Sequence, residues 1–197
     1  MTFDDLLDGR PLLAILRGVP ADRAVELANA VWDTGIGAVE LPIQTPDAVA
    51  ALSAVAKAGG ARGERVGAGT VITVDQVSVA RDAGAAFTVA PGFDPEILAA
   101  SLAAGMPHLP GVATPSDVQH AVKAGCRWLK AFPAASLGPR WIRELHGPFP
   151  DVQFVATGGI DAGNARAFLD AGARSLGVGS TVTRPGGLTE LVAALTP

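Results

Sequence analysis

The sequence predicts an α/β protein: one domain over residues 1–197, folded as a (β/α)8 barrel of the TIM type, and three observations carry that reading. Short apolar runs of β character recur along the whole chain. Several are followed by a helix-start signal, and Ala-rich segments close on glycine at intervals of about twenty to twenty-five residues. The length of 197 residues lies near the lower end, about 200, of what eight strand–helix units require. Strands that alternate with helices run parallel, because each crossover helix returns the chain to the same edge. A doubly wound open sheet is the rival arrangement. Uniform spacing favours closure, and GAGT at positions 67–70 lacks the third glycine of a dinucleotide-binding turn.

In chain order, Phe3 to Leu7 reads as a short helix covering the barrel bottom, and LLAILRGV (12–19) is the first strand. The next strands are AVELPI (38–43), RVGAGTV (65–71), FTVAPG (87–92) and PHLPGVA (107–113). WLKAFPA (128–134), QFVATGG (153–159) and SLGVGS (175–180) complete the set. Helix starts are marked by Thr45-Pro46-Asp47, by Thr73 with Gln76 as a capping box, by Asp94-Pro95-Glu96 and by Thr114-Pro115-Ser116-Asp117. In each, a polar side chain accepts from orphan amides, and proline, where present, stands where its missing N–H costs nothing. Helix stops fall at Gly35, Gly59, Gly84, Gly105, Gly125 and Gly172, with one more near Gly147, each expected to take a left-handed cap.

Composition narrows the function. Hydrophobic residues make up 49% and charged residues 17%, which excludes disorder. The formal net charge is −4 with no basic run, so nucleic acid and membrane surfaces lose their electrostatic footing and small molecules become the expected partners. Cys126 is the only cysteine, MTFDDLLDGR is acidic, unlike a secretory leader, and no apolar run approaches the 18 or so residues of a membrane span. A cytoplasmic setting is therefore expected.

In such a barrel the C-terminal strand ends face the active site. They carry Arg17, Glu40 with Gln44, Thr70, Lys130, Thr157 with Gly158 and Gly159, and Gly179 with Ser180. Only three lysines occur, and Lys57 and Lys123 sit beside glycine stops, where they complement a helix dipole. Lys130 instead shares a strand face with Trp128 and Phe132. Two readings fit it: a lysine snorkelling to water at a sheet edge, or an amine held neutral by desolvation and a neighbouring cation, ready to form a Schiff base. Glu40 is either a buried ion-pair partner or a proton carrier for imine formation. The glycines after the seventh and eighth strands are either tight turns or a phosphate cradle. Arg17 suits a carboxylate or phosphate through its planar fork, or an ion pair with Glu40. His108, His120 and His146 are scattered, so no metal site is expected, and Cys126 reads as a packing residue. A phosphate-binding barrel isomerase or epimerase, which would need a second acid/base pair or a metal cluster, and a catalytically silent phosphosugar-binding barrel are the alternatives to a Schiff-base enzyme.

Together LLAILRGV, GAVELPIQTPDAV, GAGTV, APG, LPGVATPSD, WLKAFPA, GPFP, ATGGI and GVGS resemble the 2-keto-3-deoxy-6-phosphogluconate (KDPG) aldolases, a family that includes 4-hydroxy-2-oxoglutarate (KHG) aldolases. The likeness runs in order along essentially the whole chain. It implies a class I aldolase without external cofactor, a homotrimer, and a phosphorylated 2-keto-3-deoxy sugar acid and pyruvate as ligands. By resemblance Lys130 forms the Schiff base and Glu40 moves protons. Thr70 and Pro91 border the pyruvate moiety, Phe132 packs beside the imine, and Thr157, Gly158, Gly159 and Ser180 hold the distal end. Gln44 stands where many members place an arginine, so the substrate carboxylate is assigned to Arg17. ILRG and VELP lean toward the phosphogalactonate-specific relatives, while Thr157, LPGVATP and GPFP lean toward the gluconate enzymes.

Overall fold

The computed structural model describes residues 1–7 and 9–195; the rest of the expected domain, residues 8 and 196–197, lies outside the described residues. The strands are β1 (Leu12–Ile15), β2 (Gly37–Pro42), β3 (Val66–Gly69), β4 (Phe87–Val89), β5 (His108–Leu109), β6 (Gly111–Val112), β7 (Trp128–Ala131), β8 (Gln153–Thr157) and β9 (Ala173–Val178). The helices are α1 (Phe3–Leu7), α2 (Ala21–Asp33), α3 (Pro46–Arg62), α4 (Val74–Asp82), α5 (Pro95–Ala103) and α6 (Pro115–Lys123). They continue as α7 (Ala134–Leu137), α8 (Pro139–Leu145), α9 (Ala165–Asp170), α10 (Ser180–Thr183) and α11 (Gly187–Leu195).

All strand pairs are parallel, in the order β5-β4-β3-β2-β1-β9-β8-β7-β6. The two ends of that series, β5 and β6, are one residue apart in sequence, so the sheet closes on itself into the expected TIM-type barrel. The expected fifth strand, 107–113, is thus two short strands instead of one. The break falls at Pro110, which has no N–H to give the ladder; its carbonyl still accepts from the Lys130 amide at 2.8 Å. Closure therefore runs through the residue that anchors Lys130.

Local signals set the helix ends as expected at four sites. Thr45, Asp94 and the boxes Thr73/Gln76 and Thr114/Asp117 all make their capping hydrogen bonds. Two expected stops are corrected. α3 runs through Gly59 to Arg62 and ends on Gly63 at φ +76°, so Lys57 lies inside the helix and not in its last turn. Gly59 serves packing: a Cβ there would stand 3.2 Å from the Trp32 ring and 3.1 Å from Val66. Gly147 takes no left-handed cap either, because α8 ends two residues earlier and is closed by His146 in helical conformation.

α1 plugs the barrel bottom, as expected. Phe3, Leu6 and Leu7 pack with Leu13, Phe87, Leu109, Trp128 and Val155, and the Trp128 indole donates to Asp4 at 3.1 Å. The second cluster fills the layer between strands and outer helices. Inside the barrel large and small residues alternate: the Phe87 ring occupies the space above Gly67, where a Cβ would come within 2.1 Å of it. Gly67→Ala is therefore expected to overpack the interior and cost about 1–3 kcal/mol. Thermal or urea midpoints should fall.

Candidate active site

The WLKA strand β7 is buried throughout, so alternation points Lys130 inward above Trp128. Its ammonium nitrogen lies 3.9 Å from Glu40 Oε1 and 5.3 Å from the Phe132 ring centroid. Lys130 is 5% and Glu40 1% exposed, which removes the reading of a lysine snorkelling to water. Burial is the largest influence on both groups. It lowers the proton affinity of Lys130, with the charge of Arg17 acting in the same direction and that of Glu40 opposing it. It raises the Glu40 pKa against the pull of Lys130 and Arg17. At 3.9 Å the pair is beyond hydrogen-bond length, and Glu40 Oε2 has no partner although it is buried. One carboxylate oxygen is thus left buried and uncommitted, a costly arrangement in a purely structural ion pair.

Above this pair opens a cavity of about 710 Å³ at the C-terminal ends of the strands. Its lining brings together Arg17, Thr70, Pro91, Lys130, Phe132, Thr157, Gly158, Gly159, Gly179 and Ser180, with Ile15, Ile160, Gly177 and Thr183. Glu40 lies outside that lining, beneath the floor. Gln44 is also absent from it, and its role is indirect. β1 ends at Ile15, so Arg17 sits in the following loop and not on the strand. There its guanidinium donates to Gln44 Oε1 through Nη1 and to Thr70 Oγ1 at 3.3 Å through Nη2, and makes no ion pair with Glu40. Two neutral acceptors aim a cation across the cavity mouth without neutralising it. Thr70 holds φ +58°, a left-handed conformation costing of order 1–3 kcal/mol in a β-branched residue, as expected where function overrides local preference.

At the opposite wall Thr157 is buried, and its hydroxyl reaches only the Val155 carbonyl at 3.5 Å, a contact too long to commit it. Gly158 and Gly159 take φ +98° and +73°, and a Cβ on Gly159 would meet that of Ala135 at 2.5 Å. Ser180 opens α10, whose first amides have no intrahelical partner.

The sequence reading did not single out the lining residues Ile15, Ile160 and Thr183, nor the packing reason for two glycines inside motifs already conspicuous. A Cβ on Gly177 would stand 2.2 Å from Thr157 Oγ1, and one on Gly69 would stand 3.1 Å from Glu40 Oε1. Each polar side chain leans over a glycine of the next strand. The signal was the glycine itself, in GVGS and GAGT, but which neighbour needs the room depends on strand register.

Elsewhere the chemistry is quiet. Thr88 Oγ1 lies 2.8 Å from His108 Nδ1 and 2.5 Å from Ser101 Oγ, and burial pushes the His108 pKa down to about 4. Burial pushes the Cys126 thiol up to about 11, so it is no thiolate nucleophile. Among the described residues no group of three His, Cys, Asp or Glu side chains could hold a metal ion, and no helix is long and apolar enough to cross a membrane.

A family model for KDPG and KHG aldolase matches residues 3–190. A probable 2-dehydro-3-deoxy-6-phosphogalactonate aldolase of Rhizobium meliloti (strain 1021) is 37% identical over 178 residues, covering 90% of this chain and 84% of the relative. The 2-dehydro-3-deoxy-phosphogluconate aldolase of Treponema pallidum (strain Nichols) is also 37% identical, over 170 residues, covering 86% of this chain and 80% of its own. Among solved structures, the KDPG aldolase from Legionella pneumophila, with pyruvate captured at low pH as a covalent carbinolamine intermediate, superposes with a TM-score of 0.81. It is 31% identical and covers 95% of this chain and 92% of that one.

Proposed function

The chain belongs to the KDPG and KHG aldolase family, and from that membership we propose that it cleaves 2-keto-3-deoxy-6-phosphogluconate to pyruvate and glyceraldehyde 3-phosphate through a Schiff base on Lys130. It is an aldehyde-lyase. The observation that carries the mechanism is the buried pair of Lys130 and Glu40 at the cavity floor, 3.9 Å apart with one carboxylate oxygen unpartnered.

The neutral Lys130 amine adds to the C2 ketone, giving a carbinolamine. Glu40 delivers a proton to its hydroxyl, which leaves as water, and the nitrogen lone pair closes the iminium. The Glu40 carboxylate takes the C4 hydroxyl proton, directly or through water, the C3–C4 electrons flow into the iminium, and glyceraldehyde 3-phosphate departs. The remaining enamine takes a proton at C3, and water releases pyruvate and regenerates the amine. The Legionella relative, whose structure holds pyruvate as a carbinolamine, supports this order of events. No external cofactor enters any step, so activity should survive exhaustive chelation.

Arg17 holds the substrate carboxylate by its unneutralised fork, and the backbone at Gly158, Gly159, Gly179 and Ser180 holds the phosphate. Arg17→Leu should raise KM about ten- to a hundredfold, the loss of one charge-assisted hydrogen-bonding partner, in steady-state pyruvate release. The resemblance also implies a homotrimer; sedimentation velocity tests it, and a monomer at working concentration rejects it.

Thr157, which by resemblance leans toward the gluconate enzymes, carries a buried hydroxyl with no short hydrogen bond, and this supports the gluconate configuration at C4. The name of the Rhizobium relative favours a second reading, the phosphogalactonate epimer. A coupled assay comparing both epimers and 4-hydroxy-2-oxoglutarate decides: a higher kcat/KM for the galactonate-derived substrate overturns the first reading.

A further inference from the structure

The carboxylate of Glu40 lies flat against the backbone of Gly69. A Cβ built on that glycine would stand 3.1 Å from Oε1, 3.2 Å from Cδ and 3.4 Å from Oε2. All three carboxylate atoms therefore rest on the α-carbon face of β3, and the Lys130 amine stands 3.9 Å from Oε1. These contacts are closer than a methyl tolerates without displacement, and Glu40 is 1% exposed, leaving no solvent space into which to retreat except toward the amine or the cavity. No hydrogen bond fixes Oε2, so the wall formed by Gly69 does what a hydrogen bond does elsewhere. φ is not the reason for this glycine, since Gly69 does not take a left-handed conformation.

We propose that Gly69 is a positioning residue for the proton carrier: its missing side chain sets the distance between the Glu40 carboxylate and the Lys130 amine. The proposal rests on Glu40 acting as that carrier. Within one motif the two glycines then divide the work, Gly67 admitting the Phe87 ring to the barrel bottom and Gly69 admitting the carboxylate to its floor.

The test is a double-mutant cycle on the full chain with Gly69→Ala and Glu40→Asp, which draws the carboxylate back by one methylene. Gly69→Ala alone should lower kcat about ten- to a hundredfold, the usual consequence of displacing a reacting group by a fraction of an ångström to an ångström. KM should stay within about twofold, because Gly69 does not line the cavity. A changed distance between carboxylate and amine should also move the acid limb of the rate profile, to higher pH if the two approach and to lower pH if they part, which a general loss of stability does not do. In the Glu40→Asp background the added methyl should cost less than about threefold, since the shorter side chain no longer touches it. Additive losses, or an unmoved pH limb with unchanged kcat, overturn the proposal. If Gly69→Ala does not fold alone, the double variant decides: recovery of folding supports the carboxylate contact, and continued misfolding rejects it. Full activity in Glu40→Gln would instead reject the underlying role of Glu40, whatever Gly69→Ala does.

Discussion

Lys130→Met should abolish pyruvate release and, with it, the adduct that borohydride traps when pyruvate is added. Without the amine there is no electron sink for the C3–C4 bond, and neither Lys57, inside α3, nor Lys123, at the end of α6, lines the cavity. Intact-mass analysis with peptide mapping checks the result; an adduct on either of those lysines, or turnover in the variant, rejects the mechanism. The variant has a second signature. Glu40 keeps its desolvation but loses the cation that pulls its pKa down, so its proton affinity rises beyond the already raised wild-type level. A carboxyl that binds its proton more tightly folded than unfolded favours the fold at low pH. That contribution is present below the unfolded pKa and lost as pH climbs through the folded one. Relative to wild type, Lys130→Met should therefore lose stability from mildly acidic toward alkaline pH, measurable as a growing gap in urea midpoints.

Glu40→Gln should lower kcat by roughly 10²–10⁴, the range for removal of a positioned acid–base group. The adduct should still form with pyruvate, only more slowly, because the nucleophile remains. Direction in pH separates this variant from Arg17→Leu. The charge of Glu40 raises the proton affinity of Lys130, so its removal carries the acid limb of kcat/KM to lower pH. The charge of Arg17 lowers that affinity, so Arg17→Leu carries the limb to higher pH. Movement of both limbs in the same direction contradicts Lys130 as the titrating group. Under this scheme Arg17 serves twice, as carboxylate anchor and as part of the field that keeps the amine free.

Much of this was readable along the chain. Thr45, Thr73, Asp94 and Thr114 announced helix starts because a cap bonds an amide two or three residues away, an interaction that local sequence contains. Gly59 misled for the opposite reason. The helix runs on to Gly63, and Gly59 instead gives room to Trp32 and Val66 of other elements. Pro110 could be seen as a hazard within its strand, but not as the point where the barrel closes. Gln44 looked out of place where relatives carry arginine. Its purpose emerged only when Arg17 was found donating to it.

From the sequence alone follow the alternation of strands and helices, the parallel barrel, and the small set of chemically capable side chains at strand ends. These depend on periodicity, turn residues and caps, whose ranges are a few residues. What tertiary structure decided is which of those side chains act together: that Lys130 and Glu40 stand 3.9 Å apart, that both are stripped of water, and that Arg17 is tethered by neutral partners. Desolvation and Coulomb interaction depend on distance through space and on what fills it, and both quantities exist only once the barrel has closed.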